Sequence, residues 1–464
     1  MSTKGNRDFR PACHFAPKYG WINDPNGLFY ENGAWHIFAQ YNPAEPIWGP
    51  MHWLHAASAD LLSWQEQGIA LYPDPELGTA YSGSAVIDRG NTSGLGAKGD
   101  PVVLMYTHHG AYEQQSIAFS DDRVHFTPYA GNPVIPNAAE QNFRDPKVFR
   151  NEKKNCWTVV LAVGDHAEFH ASEDLIHWRK TGEFGREENL LGGVFECTDL
   201  FPLTAPDGRE VWVLVASMQL PEDFGSGRTQ YFLGDFDGDT FVQTHAQGET
   251  LLINFGYDDY AAVSFHGVEP VTMIGWAASW GYARELPTDD FCCVYTYARQ
   301  KSLVETRAGL RLAAKPITPD FKLEPLTHVI PPKNPEKREP PMTCGELPGE
   351  LFRVRVDAPG AFALTLSNED GEALVVTVDN DRRVVVDRTR AGHRDFSPRF
   401  ASGLFSVMSA PRTQSGPVAL DLYFDRMIME LYTDEGTVSN TSLVFPRKPY
   451  TKITLLGEGK VWVG

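Results

Sequence analysis

The chain has 464 residues, of which 42% are hydrophobic and 12% aromatic, so it can bury a sizeable core and is not expected to be disordered. Its 60 acidic and 41 basic residues give a formal charge of −19 at pH 7. That charge argues against nucleic acid and anionic membranes as partners, because both bind to positive surfaces. Neutral small molecules remain compatible with it.

The ends and cysteines of the chain favour a cytoplasmic protein. The first ten residues contain no apolar run, and no later stretch is long enough to cross a bilayer. Six scattered cysteines without a CxxC pair do not resemble a disulfide framework. Secretion stays open if a signal peptide precedes the natural chain, and the sequons at Asn91 and Asn440 are the only sign in its favour.

Up to about residue 315, short apolar runs alternate with Gly, Pro, Asn and Asp, and no amphipathic stretch of helical period is long enough to compete. Short strands separated by turn residues predict an all-β fold. The clearest runs are Trp35–Gln40, Val102–Tyr106, Trp157–Val163, Val211–Ala216 and Val271–Trp276.

A turn sequence recurs four times at intervals of roughly 50–60 residues. Each copy has Ser or Asp, then Asp two positions later, then an aromatic residue four positions after that Asp. Units of this size predict propeller blades. One further blade, from the N-terminal segment or from residues 251–310, would give a five-bladed β-propeller. The four copies begin at Ser58, Ser120, Ser172 and Asp235.

The sequence changes character after the repeats. Residues 316–345 are rich in proline and charge, which predicts an extended linker between a propeller domain at 1–315 and a second domain at 346–464. In the second domain, alternating apolar segments predict a C-terminal β-sandwich. These segments are Leu351–Val356, Leu374–Val378, Arg383–Asp387, Ala419–Phe424 and Met427–Tyr432.

Three acidic residues lie in unusual local settings: Asp24 in WINDPNG, Asp145 in FRDP and Glu196 in FECTD. Aromatic or small apolar neighbours can shift a carboxyl pKa by desolvation, and a following proline is expected to hold Asp24 and Asp145 in extended geometry. Such carboxylates suit glycosidic cleavage, which needs an acid for the leaving oxygen and a carboxylate facing the sugar carbon. Each motif taken alone is more typical of a solvated turn than of a catalytic site.

The order of these motifs resembles glycoside hydrolase family 32, which contains invertases, levanases, exo-inulinases and sucrose-6-phosphate hydrolases. WINDPNG is followed by QYNP at 40–43, SGSAV at 82–86, FRDP, ECTD, YFLGDFDG at 231–238 and WGYA at 280–283, so the resemblance covers nearly the whole chain. It implies a five-bladed propeller followed by a β-sandwich, in agreement with the repeat. It also implies a retaining β-fructofuranosidase acting on sucrose or short fructans.

By this resemblance, Asp24 is the nucleophile, Glu196 the acid/base and Asp145 a stabiliser of the transition state. A retaining enzyme is expected to hold Asp24 and Glu196 about 5–5.5 Å apart. Seven further residues match positions lining the family's fructose pocket, although Trp48 and Trp280 could equally be core aromatics. The seven are Asn23, Gln40, Trp48, Tyr81, Ser82, Arg144 and Trp280.

The sequence departs from the family pattern at Thr198, which replaces a proline, and at Ala298-Arg299-Gln300, which replaces Pro-Arg-Glu. Fructosyl transfer, sucrose-6-phosphate hydrolysis and a non-catalytic sugar-binding propeller stay as alternatives. We expect no metal and no cofactor: the GxGxxG match at residues 94–99 leads into a strand rather than a helix. A homodimer through the sandwich domain is a further expectation.

Overall fold

The computed structural model describes residues 8–138, 142–221, 225–331, 340–379 and 382–464. Strands dominate these residues, and the helical elements are one short α-helix, α1 (Gly403–Ser406), and 3₁₀ turns that include Ala283–Glu285 and Asp434–Gly436. The all-β prediction is confirmed.

Five antiparallel sheets follow one another along the first part of the chain, and each is a blade of a propeller. The first two blades contain β1 (Gly20–Glu31), β2 (Ala34–Asn42), β3 (His52–Ser58) and β4 (Gln65–Leu71), then β5 (Thr79–Ile87), β6 (Val102–His109), β7 (Glu113–Ser120) and β8 (Thr127–Pro128). The third contains β9 (Phe143–Asn151), β10 (Cys156–Val163), β11 (His166–Ser172) and β12 (Arg179–Phe184).

The fourth blade contains β13 (Val194–Thr204), β14 (Glu210–Gln219), β15 (Arg228–Phe236), β16 (Phe241–Gln243) and the short β17 (Leu251–Leu252), which pairs with β15. The fifth contains β18 (Tyr260–Ser264), β19 (Thr272–Trp276), β21 (Arg299–Thr306) and β22 (Gly309–Pro316). Of the two positions expected for the extra blade, residues 251–310 supply it.

The ring closes without an open edge at the centre. The inner strands β1, β5, β9, β13 and β18 pack against one another in that order, and β18 returns to β1. The short β20 (Phe291–Cys292), from the fifth-blade segment, pairs in parallel with β1. The first blade is thereby tied to the last, and the five inner strands surround one axis.

The sequence repeat marks the turn between the third and fourth strands of blades one to four. In the first copy, the Asp60 carboxylate accepts hydrogen bonds from the backbone N–H groups of Leu62 and Ser63 at 2.9 and 2.7 Å. Asp122, Asp174 and Asp237 accept equivalent pairs of bonds. The repeat therefore encodes an Asp-capped turn, which is why its internal spacing is constant.

The second part of the chain forms two packed sheets, so the predicted sandwich is confirmed. One sheet has the order β23-β35-β26-β31-β32-β33 and the other β24-β25-β34-β27-β28-β29-β30. The strands are β23 (Glu324–Pro325), β24 (His328–Ile330), β25 (Met342–Glu346), β26 (Leu351–Ala358), β27 (Phe362–Ser367), β28 (Ala373–Val378), β29 (Arg383–Arg390), β30 (Val407–Pro411), β31 (Val418–Asp425), β32 (Ile428–Thr433), β33 (Val438–Leu443), β34 (Lys452–Leu456) and β35 (Lys460–Val463).

Part of the predicted linker, residues 332–339, lies outside the described residues. On either side of that gap, β23, β24 and β25 pair with sandwich strands. The apolar faces of the two sheets enclose a core that includes Val354, Leu364, Leu422 and Leu455, each at most 1% exposed.

Buried charged groups join the propeller to the sandwich. Arg388 of β29 donates to Asp258, just before β18, at 2.8 Å, and both side chains are fully buried. His14, which precedes β1, lies between two sandwich carboxylates: its Nδ1 is 2.9 Å from Asp425 and its Nε2 3.3 Å from Glu430. Burial alone would lower the pKa of His14, but the hydrogen bonds to both carboxylates outweigh it and raise the pKa to about 8.

The raised pKa of His14 predicts that the stability of the protein falls at alkaline pH. The protonated imidazole contributes about 2 kcal/mol, fully present below the ordinary pKa near 6.5 and lost as pH rises through about 8. In urea unfolding from pH 6 to 9, the free energy of unfolding of His14→Gln should fall furthest below that of wild type at pH 6. The difference between the two free energies should narrow toward pH 9. His328→Gln, at an exposed histidine of β24, is the control. A gap that is constant with pH would contradict the assignment.

Candidate active site

Every inner strand of the propeller carries a register shift at the same level of the ring. These irregularities are β-bulges, which bend a strand and re-aim its side chains. They lie between Ile22 and Pro25 in β1, Ala80 and Gly83 in β5, Arg144 and Lys147 in β9, Glu196 and Asp199 in β13, and Tyr260 and Val263 in β18. Asp24, Ser82, Asp145, Glu196 and Tyr260 all lie at these bulges.

Three of the bulges contain a non-glycine residue in the left-handed region: Asp145 at φ +59°, Cys197 at +44° and Ala261 at +52°. The expectation that Pro146 holds Asp145 in extended geometry is wrong. Such conformations cost roughly 1–2 kcal/mol for a residue with a Cβ. The closed ring of blades overrides this local preference and turns the Asp145 side chain toward the other acids.

All ten residues predicted for the site line one pocket of about 310 Å³ at the bulged end of the ring. The predicted members are Asn23, Asp24, Gln40, Trp48, Tyr81, Ser82, Arg144, Asp145, Glu196 and Trp280. The pocket is also lined by five residues that sequence reasoning missed, namely His109, Glu113, Asn142, Gln219 and Arg284.

Asp24 presents one bonded and one free oxygen. Its Oδ2 accepts a hydrogen bond from the Ser82 hydroxyl at 2.6 Å, and the Cys197 thiol lies 3.5 Å away. Its Oδ1 is buried and has no hydrogen-bond partner in the described part of the chain. Burial raises the pKa of Asp24, the Ser82 bond opposes that shift, and the negative charge of Glu196 adds to it.

Asp145 is held from two sides. Its Oδ2 accepts the backbone N–H of Cys197 at 2.9 Å, and its own N–H donates to the Thr107 hydroxyl at 3.0 Å. Burial raises the pKa of Asp145 to about 8; Arg144 opposes the shift, and the charges of Asp24 and Glu196 add to it. Burial and neighbouring negative charge therefore favour the protonated forms of Asp24 and Asp145.

Glu196 is positioned by one cation and one phenol. Arg144 Nη2 donates to its Oε1 at 2.9 Å, and the Tyr260 hydroxyl donates to its Oε2 at 2.5 Å. The other end of the Arg144 guanidinium lies 3.2 Å from Glu113. Arg144 thus bridges two carboxylates and fixes the direction of Glu196.

Tyr260 belongs to none of the motifs, and only its place on the fifth inner strand reveals it. Its neighbour Asp259 forms a two-pronged ion pair with Arg299, at 2.5 and 2.9 Å, in which both side chains are buried. Where the family has Pro-Arg-Glu, this chain has Ala298-Arg299-Gln300. The arginine that bonds Asp259, next to β18, is therefore retained. Gln300 is half-buried on β21, which β19 separates from β18. Thr198 lies within the β13 bulge, where its hydroxyl donates to the Val160 carbonyl at 3.3 Å.

Aromatic rings form the walls of the pocket. Trp280 stacks on Trp21 with 6.1 Å between ring centroids, and the Trp21 indole donates to Asn23 at 2.8 Å. Trp48 is 38% exposed at the mouth, so neither predicted tryptophan is a plain core residue. On another side, Tyr81 stacks on His109 at 4.2 Å with nearly parallel rings.

One cluster of potential metal ligands occurs among the described residues: His166, Glu168 and Glu183, outside this pocket. Lys180 already bonds both carboxylates, at 2.6 and 2.9 Å, so this cluster is an ion-pair network. The acids of the pocket are not part of it.

The chain belongs to glycoside hydrolase family 32. Residues 14–316 match the Glycosyl hydrolases family 32 N-terminal domain, and residues 349–462 match the Glycosyl hydrolases family 32 C terminal domain. A levanase of Bacillus subtilis is 36% identical over 95% of this chain and 67% of its own length. An extracellular exo-inulinase of Aspergillus niger is 33% identical over 98% of this chain and 93% of its own length.

Solved structures agree with this assignment. The crystal structure of exo-inulinase from Aspergillus awamori superposes with a TM-score of 0.88 at 29% identity, covering 99% of this chain and 98% of that one. A fructofuranosidase from Schwanniomyces occidentalis complexed with fructose gives a TM-score of 0.87 at 29% identity, covering 100% and 99%. The fold and family predicted from the motifs are confirmed.

The raised pKa of Asp145 predicts that Asp145→Asn stabilises the protein at alkaline pH. Between about pH 4 and pH 8, the Asp145 carboxyl is ionised in the unfolded chain but stays protonated in the folded one, whose pKa lies near 8. The free energy of unfolding therefore falls as pH rises through this range. The neutral amide avoids that cost, roughly 1–3 kcal/mol. Thermal unfolding should show a higher midpoint for Asp145→Asn than for wild type at pH 8, with a smaller difference at pH 5.

The exposed Asp395 provides the matched control, Asp395→Asn. An Asp145→Asn midpoint below that of wild type at pH 8 would contradict the buried-charge account.

Proposed function

We propose that this protein is a retaining β-fructofuranosidase that releases terminal fructose from sucrose or short fructans. The observation that carries the proposal is the convergence of Asp24, Asp145 and Glu196 on one pocket, at bulges of three different inner strands, in a family 32 propeller. Glycosidic cleavage requires two carboxyl groups in different roles within one site.

In the first step, the Asp24 carboxylate attacks the anomeric carbon of fructose, and Glu196 donates its proton to the departing oxygen. The glycosidic C–O bond breaks as the C–O bond to Asp24 forms. In the second step, Glu196 takes a proton from water, whose oxygen displaces Asp24 and regenerates the enzyme. The expected separation of about 5–5.5 Å between the two carboxyls stays a prediction.

Asp145 and Arg144 are proposed to hold the fructose rather than to exchange protons with the scissile bond. The Asp145 carboxyl is anchored by the Cys197 backbone at 2.9 Å, so it can present its remaining lone pairs or its proton to sugar hydroxyls. Arg144 bonds Glu196 at 2.9 Å and keeps it directed at the leaving oxygen. Fixed groups of this kind lower the barrier because they need not reorganise during the reaction.

The substrate is best identified by measuring fructose release from sucrose, kestose, inulin, levan and sucrose phosphate. The relatives carry the names levanase, exo-inulinase and invertase, which supports a fructosyl substrate. Purified protein that binds fructans but releases no fructose would instead be a sugar-binding propeller. Kestose accumulating at high sucrose would favour fructosyl transfer.

Location and assembly stay predictions. No helix among the described residues is long and apolar enough to cross a membrane. The cytoplasmic expectation stands against relatives named extracellular exo-inulinases. The sequon at Asn440 favours neither, since its side chain is 1% exposed in β33. We retain the domain boundaries at 315 and 346 and the homodimer as proposals.

Asp24→Asn should remove nearly all turnover, because an amide cannot form the covalent intermediate. We expect a loss in kcat on the order of 10⁴-fold in a variant that still folds and unfolds cooperatively. Fructose release from sucrose is the measurement, and Asp207→Asn, in an exposed turn, is the control. Comparable activity in Asp24→Asn would rule out its role as nucleophile.

Glu196→Gln should discriminate between leaving groups. Sucrose needs protonation of its departing oxygen, so its kcat/KM should fall by about 10²–10⁴-fold. A 4-nitrophenyl β-fructofuranoside has a stable leaving anion and should lose far less. Parallel kinetics on both substrates test this, and equal losses would show that Glu196 is not the acid.

A further inference from the structure

At the mouth of the pocket, one arginine is held between two indole rings. Arg284 lies in the 3₁₀ turn Ala283–Glu285, and its guanidinium carbon is 5.5 Å from the ring centroid of Trp48 and 5.7 Å from that of Trp280. Cation–π attraction at these distances positions the guanidinium group without using its N–H donors. All three side chains line the pocket.

The donors of Arg284 are free. Among the described residues, Arg284 makes no hydrogen bond and no ion pair, whereas Arg144 in the same pocket bonds Glu196 and Glu113. Arg284 is also exposed, although it lines a pocket with several carboxylates. An oriented arginine with its hydrogen-bonding capacity unused is suited to bind a ligand.

The burial of the pocket residues indicates which end of the substrate Arg284 would contact. The carboxyl groups lie deeper than Trp48: Asp145 is 5% exposed and the Glu196 side chain 14%, while Trp48 is 38% exposed. The fructose unit must reach Asp24 and Asp145 at the floor, so the group beyond the scissile bond extends toward the mouth. That group meets Trp48 and Arg284.

We propose that Arg284 and Trp48 form a leaving-group subsite that binds the neutral sugar next to the scissile bond, an inference that rests on the proposed function. The planar guanidinium fork matches two hydroxyls on adjacent ring carbons, and the exposed indole face accepts the apolar face of the sugar ring. A phosphorylated leaving group fits less well. Arg284 is the one unpaired cation among the described lining residues, since Arg144 is already bonded to Glu196 and Glu113.

The test compares substrates with and without a sugar leaving group. Sucrose carries the hydroxyls that Arg284 would bind, and methyl β-D-fructofuranoside does not. Arg284→Met keeps the apolar length of the side chain but removes its donors. We expect kcat/KM for sucrose to fall about 10-fold or more, mainly through KM, with less than about a 2-fold change for the methyl fructoside. Arg284→Lys should fall between Arg284→Met and wild type on sucrose.

Arg209→Ala, at an exposed arginine in the turn between β13 and β14, is the control and should match wild type on both substrates. Equal losses on both substrates in Arg284→Met, or no loss on sucrose, would overturn the subsite. A loss on sucrose 6-phosphate about 10-fold greater than that on sucrose would overturn the neutral-sugar assignment in favour of a phosphate. If wild type released fructose from neither substrate, the proposed function itself would be refuted. In that case, the affinities of wild type and Arg284→Met for sucrose would be compared by calorimetry. Equal affinities would overturn the subsite.

Discussion

The site depends on the closure of five inner strands around one axis. Each of these strands has its hydrogen-bond ladder interrupted by a bulge at the same level. A regular strand directs alternate side chains to opposite faces, so it would not gather polar groups at one point. The bulges in β1, β5, β9, β13 and β18 break that alternation. Because β20 ties the last blade back to β1, the strands cannot relax apart. The ring thereby holds residues such as Asp145 and Cys197 in left-handed geometry.

The same closure brings three carboxyl groups together in one pocket. Asp24 and Asp145 both have raised pKa values chiefly through burial, and Arg144 is the only cation bonded to the acids at the floor among the described residues. Burying carboxyl groups in this way lowers the stability of the fold, but it also gives the carboxyls the different pKa values that acid–base chemistry needs. The stabilising terms lie elsewhere: in the apolar blade interfaces, in the sandwich core, and in buried ion pairs such as Arg388–Asp258 that join the two parts.

The floor and the mouth of the pocket are formed by different kinds of chain segment. The floor comes from inner strands and is held in place by the closed ring. The mouth comes from loops: Trp48 lies between β2 and β3, and Trp280 and Arg284 follow β19. Loops tolerate substitution better than packed strands do. Differences between family members in the sugar that departs are therefore expected at positions such as Arg284.

The sequence by itself determined the scaffold and predicted three acids that line one pocket. Turn chemistry is local, so the Asp-capped repeat predicted blades from spacing alone, and the ordered motifs singled out Asp24, Asp145 and Glu196 among 60 acidic residues. Tyr260 and Arg284 carry no local signal, because their importance comes from contacts between distant segments: Tyr260 with Glu196, and Arg284 with Trp48. Local rules also failed at Asp145, where proline predicts extended backbone and the bulge imposes φ +59°. Only the closed ring could decide that conformation, since tertiary packing there outweighs a preference of about 1–2 kcal/mol.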